Sequence, residues 1–328
     1  MRRAFAVSVF LLVGCGSTTS TPTGPTIEDG CLAYSQNFCD KANACASFFI
    51  QVTWGDAALC KTRLNDACLR SAKAPNTGVT AASFDKCVKA IPAITCDDFF
   101  NGVPIADCQV TGTQDDGKTC GDGAQCKSGF CAWGGSTCGT CSPKVTEGGA
   151  CVSSSCPDGL DCVSGKCQKP VAAGGACSVD KPCGSNLSCV TGSCLKTIDV
   201  EGAACDDKEA TAPKCDFTKS LACIANKCMK FRIVTTGGEC GIRADLTKSP
   251  PLISDLMVCD KGGYCKGVDT AKGVLLGTCA PVAGDGQPCN PKASTFGEGP
   301  GCINPATCVP TGAGTEGVCK IIDPGTCR

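Results

Sequence analysis

The residues of this chain with chemistry to offer are its cysteines. It has 35 of them among 328 residues, and no histidine. Cysteine sulfurs join as disulfides, hold zinc or exchange electrons, and spacing discriminates among these uses. Cys138-Gly-Thr-Cys141 is the only Cys-x-x-Cys after Cys15. A redox pair at that spacing belongs in a βαβ setting with an aromatic residue just before it, and neither is present. A zinc ribbon needs a second such pair, which is missing. Cys-Cys and Cys-x-Cys clusters, the pattern of thiolate metal storage, are absent too. The cysteines therefore read as structural disulfides.

Other chemistry is thinly supported. Lack of histidine removes the commonest general base and any Ser/His/Asp or Cys/His arrangement. Nothing marks a carboxylate pair for glycoside cleavage. Asp115-Asp116-Gly117 and Gly121-Asp122-Gly123 lack the alternating ligands and terminal glutamate of a calcium loop, and Asp-Gly is first a turn signal. Asn186-Leu-Ser188 has the form of a glycosylation sequon. No catalytic, cofactor-binding or metal-binding residue is assigned, no cofactor is implied, and no enzyme activity is expected. A net charge of −1 implies no basic surface for nucleic acid.

The cysteines recur in a pattern. A glycine, two residues and a cysteine open a cluster at Gly117-Lys-Thr-Cys120, Gly148-Gly-Ala-Cys151, Gly174-Gly-Ala-Cys177, Gly202-Ala-Ala-Cys205, Gly237-Gly-Glu-Cys240 and Gly286-Gln-Pro-Cys289. The first cluster continues with Cys126, Cys131, Cys138 and Cys141. The next two continue with Cys156, Cys162, Cys167 and with Cys183, Cys189, Cys194. The last three continue with Cys215, Cys223, Cys228, with Cys259, Cys265, Cys279 and with Cys302, Cys308, Cys319. Loops of variable length between fixed cysteines suit a disulfide scaffold, because lengthening a closed surface loop costs little extra entropy. The opening glycine marks a tight turn needing positive φ or close backbone approach. Gly325-Thr-Cys327 resembles the start of a further unit cut short.

Aromatic residues divide the chain. Of the 14 after Cys15, eight lie between Tyr34 and Phe100, so the first part can build an apolar core. The longer cysteine-rich part cannot, and relies on cross-links as small core-poor domains do. Residues 27–110 read as a disulfide-stapled helical module holding Cys31, Cys39, Cys45, Cys60, Cys68, Cys87, Cys96 and Cys108. Cys31, Phe38, Cys45 and Phe48/Phe49 share one helical face. A second helix begins near Asp56, a good N-cap, and carries Leu59, Cys60, Arg63, Leu64, Ala67 and Cys68. Ala74-Pro-Asn-Thr-Gly78 breaks it. A third runs from about Thr80 to Pro92, with Phe84, Cys87, Val88 and Ile91 inward, and a short turn holds Cys96, Phe99 and Phe100. Cys108 belongs either to this module or to the first cluster. From Thr111 onward short hairpins and turns are expected. Lys248 to Val258, an insertion in the fifth cluster, either covers its neighbour or forms an exposed contact. The fold class is small and disulfide-rich: a helical module, a five-cysteine unit over 111–142, and cysteine-rich β-hairpin/turn repeats over 143–328.

Residues 1–15 read as an export signal. Arg2 and Arg3 precede an apolar run, Ala4 to Val13, too short to span a bilayer. The run closes in Leu12-Val13-Gly14-Cys15, which resembles the lipobox of bacterial lipoproteins. That resemblance implies lipidation at Cys15 and a membrane anchor there. Gly16 in place of aspartate implies passage to the outer membrane, on its periplasmic or external side. Residues 16–26 (GSTTSTPTGPT) have the composition of a flexible tether. Removing Cys15 leaves 34 cysteines, an even number that can pair completely into 17 disulfides. The pairing itself is not legible.

The first cluster, Cys120-x5-Cys126-x4-Cys131-x6-Cys138-x2-Cys141, resembles the N-terminal cysteine-rich domain of Dickkopf proteins, which implies a comparable disulfide knot but no signalling role. As a whole the layout resembles cysteine-rich surface lipoproteins of Gram-negative bacteria. The expected function is a non-enzymatic, lipid-anchored envelope protein that presents a rigid scaffold for adhesion or for a protein or polysaccharide ligand. The alternative is a protease inhibitor that blocks its target with one loop of a disulfide knot.

Overall fold

The computed structural model describes residues 25–327 apart from 101, 134–136, 152–155, 158, 185, 207–211, 246, 249–251 and 313–315. The export signal, Cys15 and most of the tether lie outside the described residues. Of the tether only Pro25 and Thr26 are described, and Thr26 already caps the first helix.

Among the described residues five α-helices form the N-terminal region. They are α1 (Ile27–Cys45), α2 (Ser47–Thr53), α3 (Ala57–Ala72), α4 (Ala81–Ala90) and α5 (Cys96–Phe100). Local sequence sets their ends. The Thr26 hydroxyl accepts from Asp29 N at 3.1 Å, and Asp56 accepts from Leu59 N at 2.7 Å. Thr80 accepts from Ser83 N at 3.1 Å, and Ile91-Pro92-Ala93 ends α4 in a 3₁₀ turn. Each cap satisfies an amide that the first helical turn leaves unpaired. Cysteines eight apart on α1 and on α3 run in opposite directions, so two rungs join the helices: Cys31–Cys68 and Cys39–Cys60. Cys45–Cys96 ties in α5, and Cys87–Cys108 closes the region, which settles Cys108 in the helical part. Inside lie Cys39, Ala42, Ile50, Trp54 and Cys60, with Phe38, Phe49 and Phe99 packed against them.

All 34 cysteines from Cys31 to Cys327 are paired, in 17 disulfides. In every cluster two cysteines face each other directly across an antiparallel hairpin: Cys131 and Cys141, Cys162 and Cys167, Cys189 and Cys194, Cys223 and Cys228, Cys265 and Cys279, Cys308 and Cys319. They do not bond to each other. Each captures an earlier cysteine of its own cluster, as in Cys177–Cys189 with Cys183–Cys194, or Cys289–Cys308 with Cys302–Cys319. The first cluster follows the same rule with Cys120–Cys131 and Cys126–Cys141.

The opening glycines have one backbone role. Gly117, Gly148, Gly174, Gly202, Gly237 and Gly286 all have positive φ, between 76° and 88°. Each donates its N–H to the carbonyl of the last cysteine of its hairpin, at 2.7–2.8 Å. An added Cβ would meet nothing within 4 Å at any of the six, so the backbone angle, not space, calls for glycine.

Two expectations need correction. The terminal Gly325-Thr-Cys327 does not open a further unit, because Cys327 is bonded back to Cys138 of the first cluster. The cysteine-rich part is also not made of short hairpins alone. Seven strands form one sheet: β1 (Leu221–Ile224), β2 (Lys227–Val234), β3 (Glu239–Asp245), β4 (Leu252–Cys259), β5 (Tyr264–Lys266), β6 (Leu276–Ala280) and β7 (Phe296–Gly297). Their spatial order is β7-β5-β6-β3-β4-β2-β1, which spans the fourth, fifth and sixth clusters. The Lys248 to Val258 insertion supplies most of β4. It pairs antiparallel with β3 and parallel with β2 of the preceding cluster, and it buries Leu256 and Met257. Covering the neighbour is therefore its use.

Candidate functional site: the hub and the seam

Each cluster touches the helical region, which acts as a hub. In the first, Gly78 N donates to the Ala124 carbonyl at 2.9 Å and Thr113 N to the Asn76 carbonyl at 3.0 Å. In the second, Gly159 packs against Pro104. In the third, Asn186 Nδ2 donates to Asp97 at 3.2 Å. The fourth sets Phe217 edge-on to Phe48 and Phe100, and Phe231 edge-on to Phe48. In the fifth, Lys261 N donates to the Gln51 carbonyl at 2.9 Å and Gly262 N to that of Val52. In the sixth, Trp54 Nε1 donates to the Asn304 carbonyl at 3.1 Å.

Arg63 makes the strongest of these links. Its guanidinium grips Asp285 with two bonds, at 2.5 and 2.8 Å, and also donates to the carbonyls of Ile303 and Asn304. A planar fork suits such bidentate pairing. The hydrogen bond from Arg63 holds the Asp285 carboxyl below its ordinary pKa, against a smaller opposing effect of burial.

The first cluster is also joined, along a seam, to the segment that follows the sixth. Cys138–Cys327 joins residues 189 apart, whereas every other disulfide joins residues at most 51 apart. Gln125, 1% exposed, stands beside that seam with its amide fully used. Its Oε1 accepts from Gly121 N and Asp122 N, and its Nε2 donates to the carbonyls of Pro75 and Pro324. One side chain thus ties the hub, the first cluster and the C-terminal segment. Two open clefts flank the seam. One, about 560 Å³, runs between Trp133, Pro305, Val309 and Ile321 over Ala67 of α3. The other, about 550 Å³, holds Arg70, Lys320 and Thr326. Thr137, beside Cys138, lines both. Trp133 is 40% exposed, while Trp54 is 3% exposed.

The sequence-level sites fall as follows. Cys138 and Cys141 are not bonded to each other; their partners are Cys327 and Cys126. Asp115 pairs with Lys127 Nζ at 2.6 Å, and that hydrogen bond lowers its pKa. Asp122 caps a 3₁₀ turn by accepting from Ala124 N at 2.8 Å. Stacked disulfides bring sulfurs together, as at Cys120, Cys126 and Cys141, whose Sγ atoms lie within 4.8 Å of one another. A disulfide sulfur carries no thiolate charge to offer a metal. Cys327, Gln125 and Trp133 were not singled out as a joint site by sequence. A glutamine or tryptophan in a cysteine-rich stretch carries no spacing signal, and the seam joins residues from opposite ends of the cysteine-rich part.

No family model matches the chain, and no curated protein or solved structure is significantly similar to it. No helix among the described residues is long and apolar enough to cross a membrane.

Proposed function

We propose that this is a non-enzymatic, lipid-anchored protein of the bacterial outer membrane that holds out a rigid disulfide-rich scaffold for adhesion or for binding a protein or polysaccharide ligand. On this reading the six clusters are copies of one hairpin repeat, wrapped round the helical hub. The recurring glycine turn, the facing cysteines and the paired disulfides of each cluster support the repeat. Cysteines cross-linked at this density belong to an oxidising compartment, which fits an exported chain. The Leu12-Val13-Gly14-Cys15 ending supports the anchor. The observation that carries the reading is the complete pairing of the cysteines after Cys15. Pairing stiffens the loops before any ligand arrives, which lowers the ordering cost of binding.

The test is the intact mass of the protein from its native membrane, with and without reduction and alkylation. A diacyl or triacyl mass on Cys15, with the other cysteines unreactive until reduced, is the expected result. An unmodified Cys15 removes the anchor, and a set of free thiols removes the stapled scaffold.

A further inference from the structure

The edge of a β-sheet exposes backbone groups that another chain can pair with. The sheet of the sixth cluster runs Pro288–Cys289, then β9 (Gly317–Lys320), then β8 (Thr307–Pro310), which leaves β8 at its edge. Cys308 of β8 faces Cys319 of β9. Cys319 uses both its backbone groups on the far side: its N–H donates to the Gln287 carbonyl at 3.0 Å, and its carbonyl accepts from Gly286 N at 2.8 Å. The facing pair is therefore a non-hydrogen-bonded one, and the Cys308 N–H and carbonyl point outward, away from β9. Among the described residues none is bonded to them.

The fifth cluster has the same arrangement with the edge filled. Cys265 of β5 faces Cys279 of β6, and Cys279 bonds to Gly237 and Gly238 on the far side. The Cys265 N–H points outward in turn, and there it donates to the Thr295 carbonyl at 2.9 Å. β7 lies along that edge as a parallel strand, with Cys265 beside Phe296 and Lys266 beside Gly297. In a parallel ladder of this register the Gly297 N–H returns a bond to the Cys265 carbonyl. The chain thus fills the fifth edge with an extended segment of its own.

The open edge borders a cleft. Thr307, Cys308, Val309 and Pro310 all line the cleft of about 560 Å³ that Trp133 and Ile321 wall. Successive side chains of a strand point to opposite faces, so four in a row put the strand's edge along the cleft. The adjoining cleft shares Val309 and holds Arg70 and Lys320, neither of which forms an ion pair with a described residue. Its carboxylates are engaged, Asp285 by Arg63 and Asp323 by Gly325 N. Cys289–Cys308 pins β8, so the edge is ordered before any partner arrives.

We infer that the β8 edge takes up an extended peptide segment of a partner protein as an added parallel strand. The segment carries an apolar side chain for the Trp133 cleft and an acidic residue for Arg70 and Lys320. Cys308 N–H donates to one peptide carbonyl, and the Cys308 carbonyl accepts from the amide two residues on, as Cys265 does with Thr295 and Gly297. In strand addition the main-chain bonds supply affinity and the pockets select side chains. Pro310 has no N–H and ends the edge, which limits the added strand to a short one. This partner is the protein ligand of the proposed function, and the site rests on that reading.

The test uses the folded, full protein, isotope-labelled, and a synthetic peptide of residues 293–298 (ASTFGE), the segment that fills the fifth cluster's edge. In the free protein the Cys308 amide should exchange about tenfold faster than the bonded Cys265 amide. Millimolar peptide should slow Cys308 exchange about tenfold and shift the amides of Thr307 to Val309, leaving those of α1 unmoved. Methylating the peptide's glycine nitrogen should weaken binding about tenfold, and Trp133→Ala or a glutamine in place of the peptide's glutamate about threefold. Equal protection of Cys308 and Cys265 in the free protein overturns the site, because the edge is then already covered. Failure of millimolar peptide to slow Cys308 exchange overturns it, as does binding indifferent to the glycine methyl. So does a dimer in sedimentation whose formation protects Cys308, since a second copy is then the occupant. Binding of the peptide or of an acidic oligosaccharide elsewhere, with Cys308 unmoved, overturns the site and leaves the ligand-binding reading standing.

Discussion

In the hub, disulfides are set in an apolar core: Cys39–Cys60 lies among Ala42, Ile50 and Trp54. In the first cluster the apolar core among the described residues is four cysteines, Cys120, Cys126, Cys131 and Cys141. The hub buries enough aromatic and aliphatic surface for its cross-links to reinforce packing that exists without them. The first cluster has a few short strands and two disulfides, and removing the disulfides removes that apolar core itself; the fifth also buries Met257, with Leu276 and Phe296 packed against it. Small domains below the size that supports a core depend on cross-links in this way. The aromatic division of the sequence is the same difference seen before folding.

The comparison is broken or sharpened by substitution. The largest effect is expected from replacing all four cysteines of the third cluster, Cys177, Cys183, Cys189 and Cys194, by serine. Amide protection should vanish through residues 186–196 and persist in α1 and α3. Protection surviving in that hairpin would show that clusters hold more than their disulfides.

The hub should behave otherwise. The double variant C39S/C60S should keep its helical circular dichroism and lose about 2–5 kcal/mol, the usual cost of a native disulfide. Complete loss of helix would place the hub in the same class as the clusters.

Gln125 links the two kinds of region. Gln125→Leu leaves the amides of Gly121 and Asp122 and the Pro75 carbonyl without their partner, at a cost of about 2–3 kcal/mol by calorimetry. A cost confined to the first cluster's exchange rates, with the C-terminal segment unmoved, would deny the linking role.

The glycine turn gives a smaller, repeated effect. Gly202→Ala places a side chain at positive φ with open space around it, so the cost should be the backbone's alone, about 1–2 kcal/mol. No change in melting temperature would show that the turn relaxes to negative φ.

The smallest effect concerns pH. Asp285 has a folded pKa below its unfolded value, so the Arg63 pair adds stability above the unfolded carboxylate value, about 3.9. That contribution is lost as pH falls through the lower folded value. Melting followed from pH 5 to pH 2 should therefore fall less steeply for Asp285→Asn than for the unaltered chain. Equal slopes would assign the acid loss to other carboxylates that are also held low, among them Asp29 and Asp245.

Much of the local structure was legible. Asp56 caps a helix as its type and position said it should, and the helix expected from about Thr80 starts there. Cysteines eight apart on two helices became two rungs, because two turns of one helix lie opposite two turns of an antiparallel neighbour. The six glycines read as turns and have positive φ. The seven-stranded sheet was not legible. Its parallel contact between β2 and β4 joins strands of different clusters, and nothing in the residues of either strand alone marks its partner. Arg63 was visible as a charge on an apolar helical face, but its partner Asp285 lies 222 residues away.

By itself the sequence determined what short-range physics can determine: an even set of cysteines, helix starts, turns at glycine, and an aromatic-rich part beside an aromatic-poor one. Only the tertiary structure decided which cysteine meets which, that each cluster touches the hub, and that Cys327 returns to Cys138. Spacing specifies local geometry, whereas a bond across 189 residues depends on where every intervening cluster is held.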